Sequence, residues 1–65
     1  MPSPFTAADD AALLAYCRAE GNGVAHAMAL RIAVSVWFAR CPWADAVFGK
    51  QRVTGLIVAR PARIC

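Results

Sequence analysis

The side chains that could ligate a metal or attack a substrate are few: Cys17, Cys41, Cys65 and a single histidine, His26. Three thiolates and an imidazole are formally a zinc set. Zinc sites, however, are built on short chelating pairs such as C-x2-C, because one turn then fixes two ligands at once. The nearest pair here, Cys17 and His26, is nine residues apart, so the spacing predicts no metal and no cofactor. The equal spacing of the three cysteines suggests a repeat, but the segments between them do not match: Arg18-Ala19-Glu20-Gly21 falls against Pro42-Trp43-Ala44-Asp45. Without a metal, the cysteines read as small, mostly buried hydrophobic side chains. The exception is Cys65, expected to be exposed and open to an intermolecular disulfide.

Catalysis has equally little to work with. A cysteine nucleophile needs a base, a group to orient that base and an oxyanion site, and one histidine cannot supply them all. Gly21-Asn22-Gly23 is no phosphate loop, since it follows a predicted helix rather than a strand and no Gly-Lys-Ser/Thr comes after it. The expectation is a protein that is not an enzyme, with no catalytic residues.

Charge and aromatic residues say more. The chain carries a net charge of +3, unevenly spread. Beyond Val47 there are Lys50, Arg52, Arg60 and Arg63 and no acid, while the first 46 residues are slightly acidic. A basic C-terminal third can contact phosphates. The helix-Gly-helix layout of residues 7–39 hints at helix-turn-helix, but its second helix offers only His26, Arg31 and Ser35 to a nucleic acid. The stretch Trp37-Phe38-Ala39-Arg40-Cys41-Pro42-Trp43 gathers around a proline corner the residue types that dominate protein interfaces. The same tryptophans could instead fill a core where helices meet, or one could be core and the other contact surface.

Size bounds the elements that must carry these residues. Sixty-five residues make one small domain, 1–65, with a loose leader (1–5) and an exposed tail (61–65). At 60% apolar the chain is too hydrophobic for disorder and holds more apolar surface than a small monomer hides. A homodimer or a partner protein is the natural cover. An odd cysteine count and Asp9-Asp10 near the start argue against a secreted disulfide framework and a signal peptide, so the expectation is a cytoplasmic protein with reduced thiols. The best membrane window, residues 21–39, has Arg31 in its middle, which argues against a span.

The predicted architecture is mostly α, with two main helices at about 7–19 and 24–40. Thr6 to Asp9 has capping-box spacing, and Leu13, Tyr16 and Cys17 share a face. Gly21-Asn22-Gly23 ends the first helix through left-handed backbone. The second is apolar nearly all round, although Ile32, Val34, Val36 and Phe38 alternate as a strand would. Pro42 stops it. Residues 43–48 read as a short turn ending at Gly49. A C-terminal element at about 51–60 is helix or strand, so the alternative is α+β with a small antiparallel sheet.

These features together suggest a non-enzymatic protein-binding module: an inhibitor, adaptor or assembly factor occupying a surface of a larger protein or complex. A phage or mobile-element regulator of a host complex is one such case. Trp37, Phe38 and Trp43 would be its apolar anchors, and Arg40, Lys50, Arg52, Arg60 and Arg63 its complement to an acidic partner. The alternative is a small basic nucleic-acid-binding regulator using the C-terminal third.

Overall fold

Three stretches place small or apolar residues four apart, and each is a helix in the structure, a computed structural model that describes residues 4–60. They are α1 (Thr6–Gly21), α2 (His26–Arg40) and α3 (Ala46–Val58). Their buried ladders are Ala8-Ala12-Tyr16 with Ala19, Ala29-Ala33-Trp37 continued by Cys41, and Gly49-Val53-Ile57. Rows spaced by four are the ridges that interdigitate when helices pack. α1 and α2 form the most closely packed pair, and α3 lies against both. The α1–α2 seam is mostly methyl groups, while Trp37, Tyr16, Val53 and Ile57 supply the bulk of the core. Burying each of these larger side chains is worth about 1.5–3 kcal/mol.

The ends of the helices differ from the sequence expectation in informative ways. α1 runs the full length foreseen, but Thr6 does not cap it. Phe5 is the N-cap residue, in helical backbone, with no side-chain cap. The capping-box reading fails because the Asp9 carboxylate reaches across to the other two helices instead. At the other end only Gly23 takes the left-handed conformation, at φ +82°. Its N–H donates to Glu20 O (3.0 Å) and the Val24 N–H to Ala19 O (3.0 Å), a Schellman closure with Val24 folded onto the core. Val24 therefore belongs to the turn, and α2 starts two residues later than expected.

No strand occurs among the described residues, so the mostly α reading holds and the α+β alternative falls. The alternation of residues 32–38 is overridden by the four-residue ladder through Ala29, Ala33 and Trp37. The two-helix description is also corrected. The expected turn at 43–48 and the ambiguous element at 51–60 are one helix, α3. Asp45 starts it, its carboxylate accepting from the N–H groups of Val47 (2.9 Å) and Phe48 (3.0 Å). Gly49 does not end it. The glycine is buried beneath the Phe38 ring, which lies where a side chain would otherwise project. The β-branched Val53 and Ile57 face inward on α3, and burial overrides their strand preference.

Of the expected leader, residues 1–3 lie outside the described residues. Phe5 stacks on Trp37, with centroids 5.7 Å apart and planes at 19°. Residues 61–65, the expected tail, lie outside the described residues. Cys41 is a free, buried thiol, and Cys65 lies outside the described residues. No helix among the described residues is long and apolar enough to cross a membrane.

Candidate functional site

The proline corner between α2 and α3 is where the sequence concentrated its aromatic residues, and the structure divides them. Trp37 is 0% exposed, a core residue and not a surface anchor. Its indole Nε1 donates to Asp9 Oδ1 (2.9 Å). Phe38 is half-buried, edge-on to Trp37 at 5.1 Å and wedged over Gly49. Trp43 is 64% exposed. Around it lie Phe5, 5.5 Å away, and Phe48, itself 5.4 Å from Phe5 and 43% exposed. Val47, next on α3, is 64% exposed. Trp43 and Phe48 thus meet on Phe5 to form an apolar surface, with Val47 exposed beside Phe48 in the chain, and Phe5 couples the rings to Trp37 in the core.

Phe5, Val47 and Phe48 escaped the sequence reading. The available signal was Asp45. Read as an N-cap, it starts a helix that places Val47 and Phe48 in the first turn beside Trp43.

The basic residues divide as well. Arg52 is half-buried on α3 and forms a bidentate pair with Asp9, Nε to Oδ1 at 2.9 Å and Nη2 to Oδ2 at 2.6 Å. Its guanidinium also sits over the Phe5 ring, 4.9 Å from the centroid. Asp9 therefore takes one donor from α2 and two from α3. Burial opposes its ionisation, but the hydrogen bonds from Arg52 and Trp37 and the Arg52 charge outweigh that effect. The carboxyl is held below its ordinary 3.8.

Arg60 is likewise occupied. It pairs with Glu20 at 3.5 Å, lies over the Tyr16 ring at 4.8 Å, and donates to Ile57 O at 2.6 Å. The buried Tyr16 hydroxyl donates to Glu20 Oε2 (2.9 Å) and lies 2.7 Å from His26 Nδ1. With the phenol proton committed to Glu20, Nδ1 is the donor of that second contact. Burial, reinforced by Glu20, pushes the Tyr16 phenol above 10.0, against the opposing influence of Arg60. The lone histidine is thus tied into a chain closing the α1–α2 turn against the end of α3.

Of the other predicted contacts, Arg40 and Lys50 are exposed, and Arg63 lies outside the described residues. Two of the four basic residues in the C-terminal third are therefore engaged within the fold. Among the described residues, no three His, Cys, Asp or Glu side chains gather where a metal could be held. Comparisons with known protein families, with curated proteins and with solved structures find no match for this chain.

Proposed function

We propose that this chain is a non-enzymatic protein-binding module that works by covering a surface of a larger partner with its aromatic corner. The observation that carries this reading is Trp43. Its indole is mostly exposed, yet it stands against Phe5, whose ring is itself stacked on the core. A large aromatic ring held in place before contact loses little entropy on binding, which is what makes such residues interface anchors. Phe48 and Val47 extend the anchor, and Arg40 and Lys50 supply charge beside it. Trp37 supports the corner from beneath. The nucleic-acid alternative draws less support, because Arg52 and Arg60 already have carboxylate partners.

The test is affinity capture from native cell extract, with and without nuclease, at low and high salt. A stoichiometric protein that persists through both treatments and is lost with Trp43→Ala is the expected result. Nucleic acid alone, lost at high salt, overturns the reading. If the captured protein is a second copy of this chain, the module is a homodimer, which sedimentation equilibrium reads directly. The cytoplasm is the compartment we propose. Fractionation of native cells tests it.

A further inference from the structure

A trough runs between α2 and α3 beside the aromatic corner. Leu30, Arg31, Val34 and Ser35 line it on α2, with Lys50 opposite on α3, around a depression of about 250 Å³. Lys50 also borders a broader depression of about 630 Å³ on the outer face of α3, lined by Val47, Gln51, Thr54 and Gly55. The shared lysine joins the two. Along α3 the outer stripe begins at Val47 and ends at Val58, which is 79% exposed. Eleven residues of helix at 1.5 Å each give a stripe of roughly 16 Å, or three turns. Gly55 opens a notch within it: no atom of any neighbour comes within 4 Å of where its Cβ would be.

The charge around this trough has one sign. Asp9, Asp10 and Glu20 all lie on α1, and the Asp45 carboxylate is taken up by the N-terminus of α3. Arg52 and Arg60 are matched by Asp9 and Glu20. That leaves Arg31 and Lys50 flanking a trough that is apolar at Leu30, Val34 and Val47, neutral and polar at Ser35, Gln51 and Thr54, and without a carboxylate in its lining. A groove between two helices that continues onto the outer face of one of them, edged by cations, is complementary to a rod with an apolar stripe and acidic flanks. It suits a flat bilayer poorly.

Resting on the protein-binding reading, we propose that the trough formed by Leu30, Arg31, Val34, Val47, Lys50 and Gly55 docks an acidic amphipathic helix of the partner. The aromatic corner then holds one end of that helix, and the cations select its charge.

The probe is a displayed library of random 16-residue peptides panned against the full-length chain, with enriched peptides titrated into isotopically labelled protein. Enriched sequences should be acidic with apolar residues at i, i+3, i+4 and i+7, and should turn helical on binding. They should shift the amide signals of residues 30–35 and 47–55. Affinity should fall at least tenfold in the Arg31→Glu, Lys50→Glu double variant. It should fall similarly in Gly55→Gln, which fills the notch and leaves the far-ultraviolet dichroism intact. Neutral or basic enriched peptides, or affinity unchanged by charge reversal, would overturn the proposal. So would binding of phosphatidylglycerol vesicles through these residues with no peptide enriched. Peptides that shift only the surroundings of Trp43 and Phe48 would remove the trough but keep the binding module. No enrichment at all would overturn the trough proposal, and if in addition no protein is captured from extract the binding module falls with it.

Discussion

Two glycines in the same helix should respond oppositely to the same substitution. Gly49 and Gly55 both lie within α3, so replacing either by alanine gains about 0.8–1 kcal/mol of helix propensity. At Gly55 nothing opposes the gain, because the new methyl meets open space. Gly55→Ala should therefore stabilise the fold by about 0.5–1 kcal/mol. At Gly49 the methyl would lie 2.7 and 2.8 Å from Phe38 Cε2 and Cε1, and closer still to Cζ. Ordinary carbon contacts are about 3.5–4.0 Å, so the ring must retreat by about an ångström or more. It cannot do so alone. Phe38 is edge-on to Trp37 at 5.1 Å, and Trp37 in turn holds Asp9. Overpacking of this kind costs about 1–3 kcal/mol, and loosening the aromatic pair adds about 0.5–1.5 kcal/mol. Net of propensity, Gly49→Ala should destabilise by about 0.5–3.5 kcal/mol. In a domain this small each kcal/mol moves Tm by about 4–8 °C, so the two variants should melt several degrees or more apart. Urea and thermal unfolding followed at 222 nm measure this directly. A Gly49→Ala protein as stable as the parent would refute the packing argument.

Asp9 sets the acid limit of stability. Its folded carboxyl titrates below the unfolded value of about 3.9, so its contribution is complete above that pH and is lost as pH falls through the folded pKa. Denaturation midpoints should thus drop as pH falls below about 4, and Asp9→Asn should flatten this drop. At neutral pH the same variant should cost about 1–3 kcal/mol, since it leaves Arg52 without its counter-charge. Asp45→Ala should cost about 0.5–2 kcal/mol through loss of the α3 cap, read by the same urea titration. Trp43→Ala should disturb stability by only about 0.5–1.5 kcal/mol. It should weaken partner binding about thirtyfold or more, measured by calorimetry with the captured protein.

Helix content and the first two boundaries were legible because Gly23, Pro42 and the alanine-rich segments carry local signals. The core of α1 was not. A search for large apolar residues selects Leu13, Tyr16 and Cys17, yet Leu13 and Cys17 are only half-buried while Ala8, Ala12 and Ala19 are fully covered. Alanine counts locally as a helix former, and only the partner helix turns it into a contact surface. α3 was obscured by two glycines and several β-branched residues, whose local preferences yield to the Asp45 cap and to burial of Val53 and Ile57. In the site, the sequence offered Trp37 and Trp43 alike and did not tell the exposed one from the buried one. Nor did it show that Trp37, Arg52 and Arg60 are engaged within the fold, because that depends on partners up to 43 positions away, as with Arg52 and Asp9.

The methyl-lined seam between α1 and α2 also bears on how this chain can change over time. Positions 8, 12, 19, 29 and 33 hold nothing larger than alanine, and all five are sealed from solvent. A bulkier residue at any of them would have to pry the two helices apart. Asp9, beside Ala8, would move with α1, and its grip on Trp37 and Arg52 would loosen at the same time. Random mutagenesis selected for folding should therefore tolerate least variation at the positions with the smallest side chains. Trp43 and Val47, which project into solvent, are left free to drift toward a new target while the scaffold stays the same.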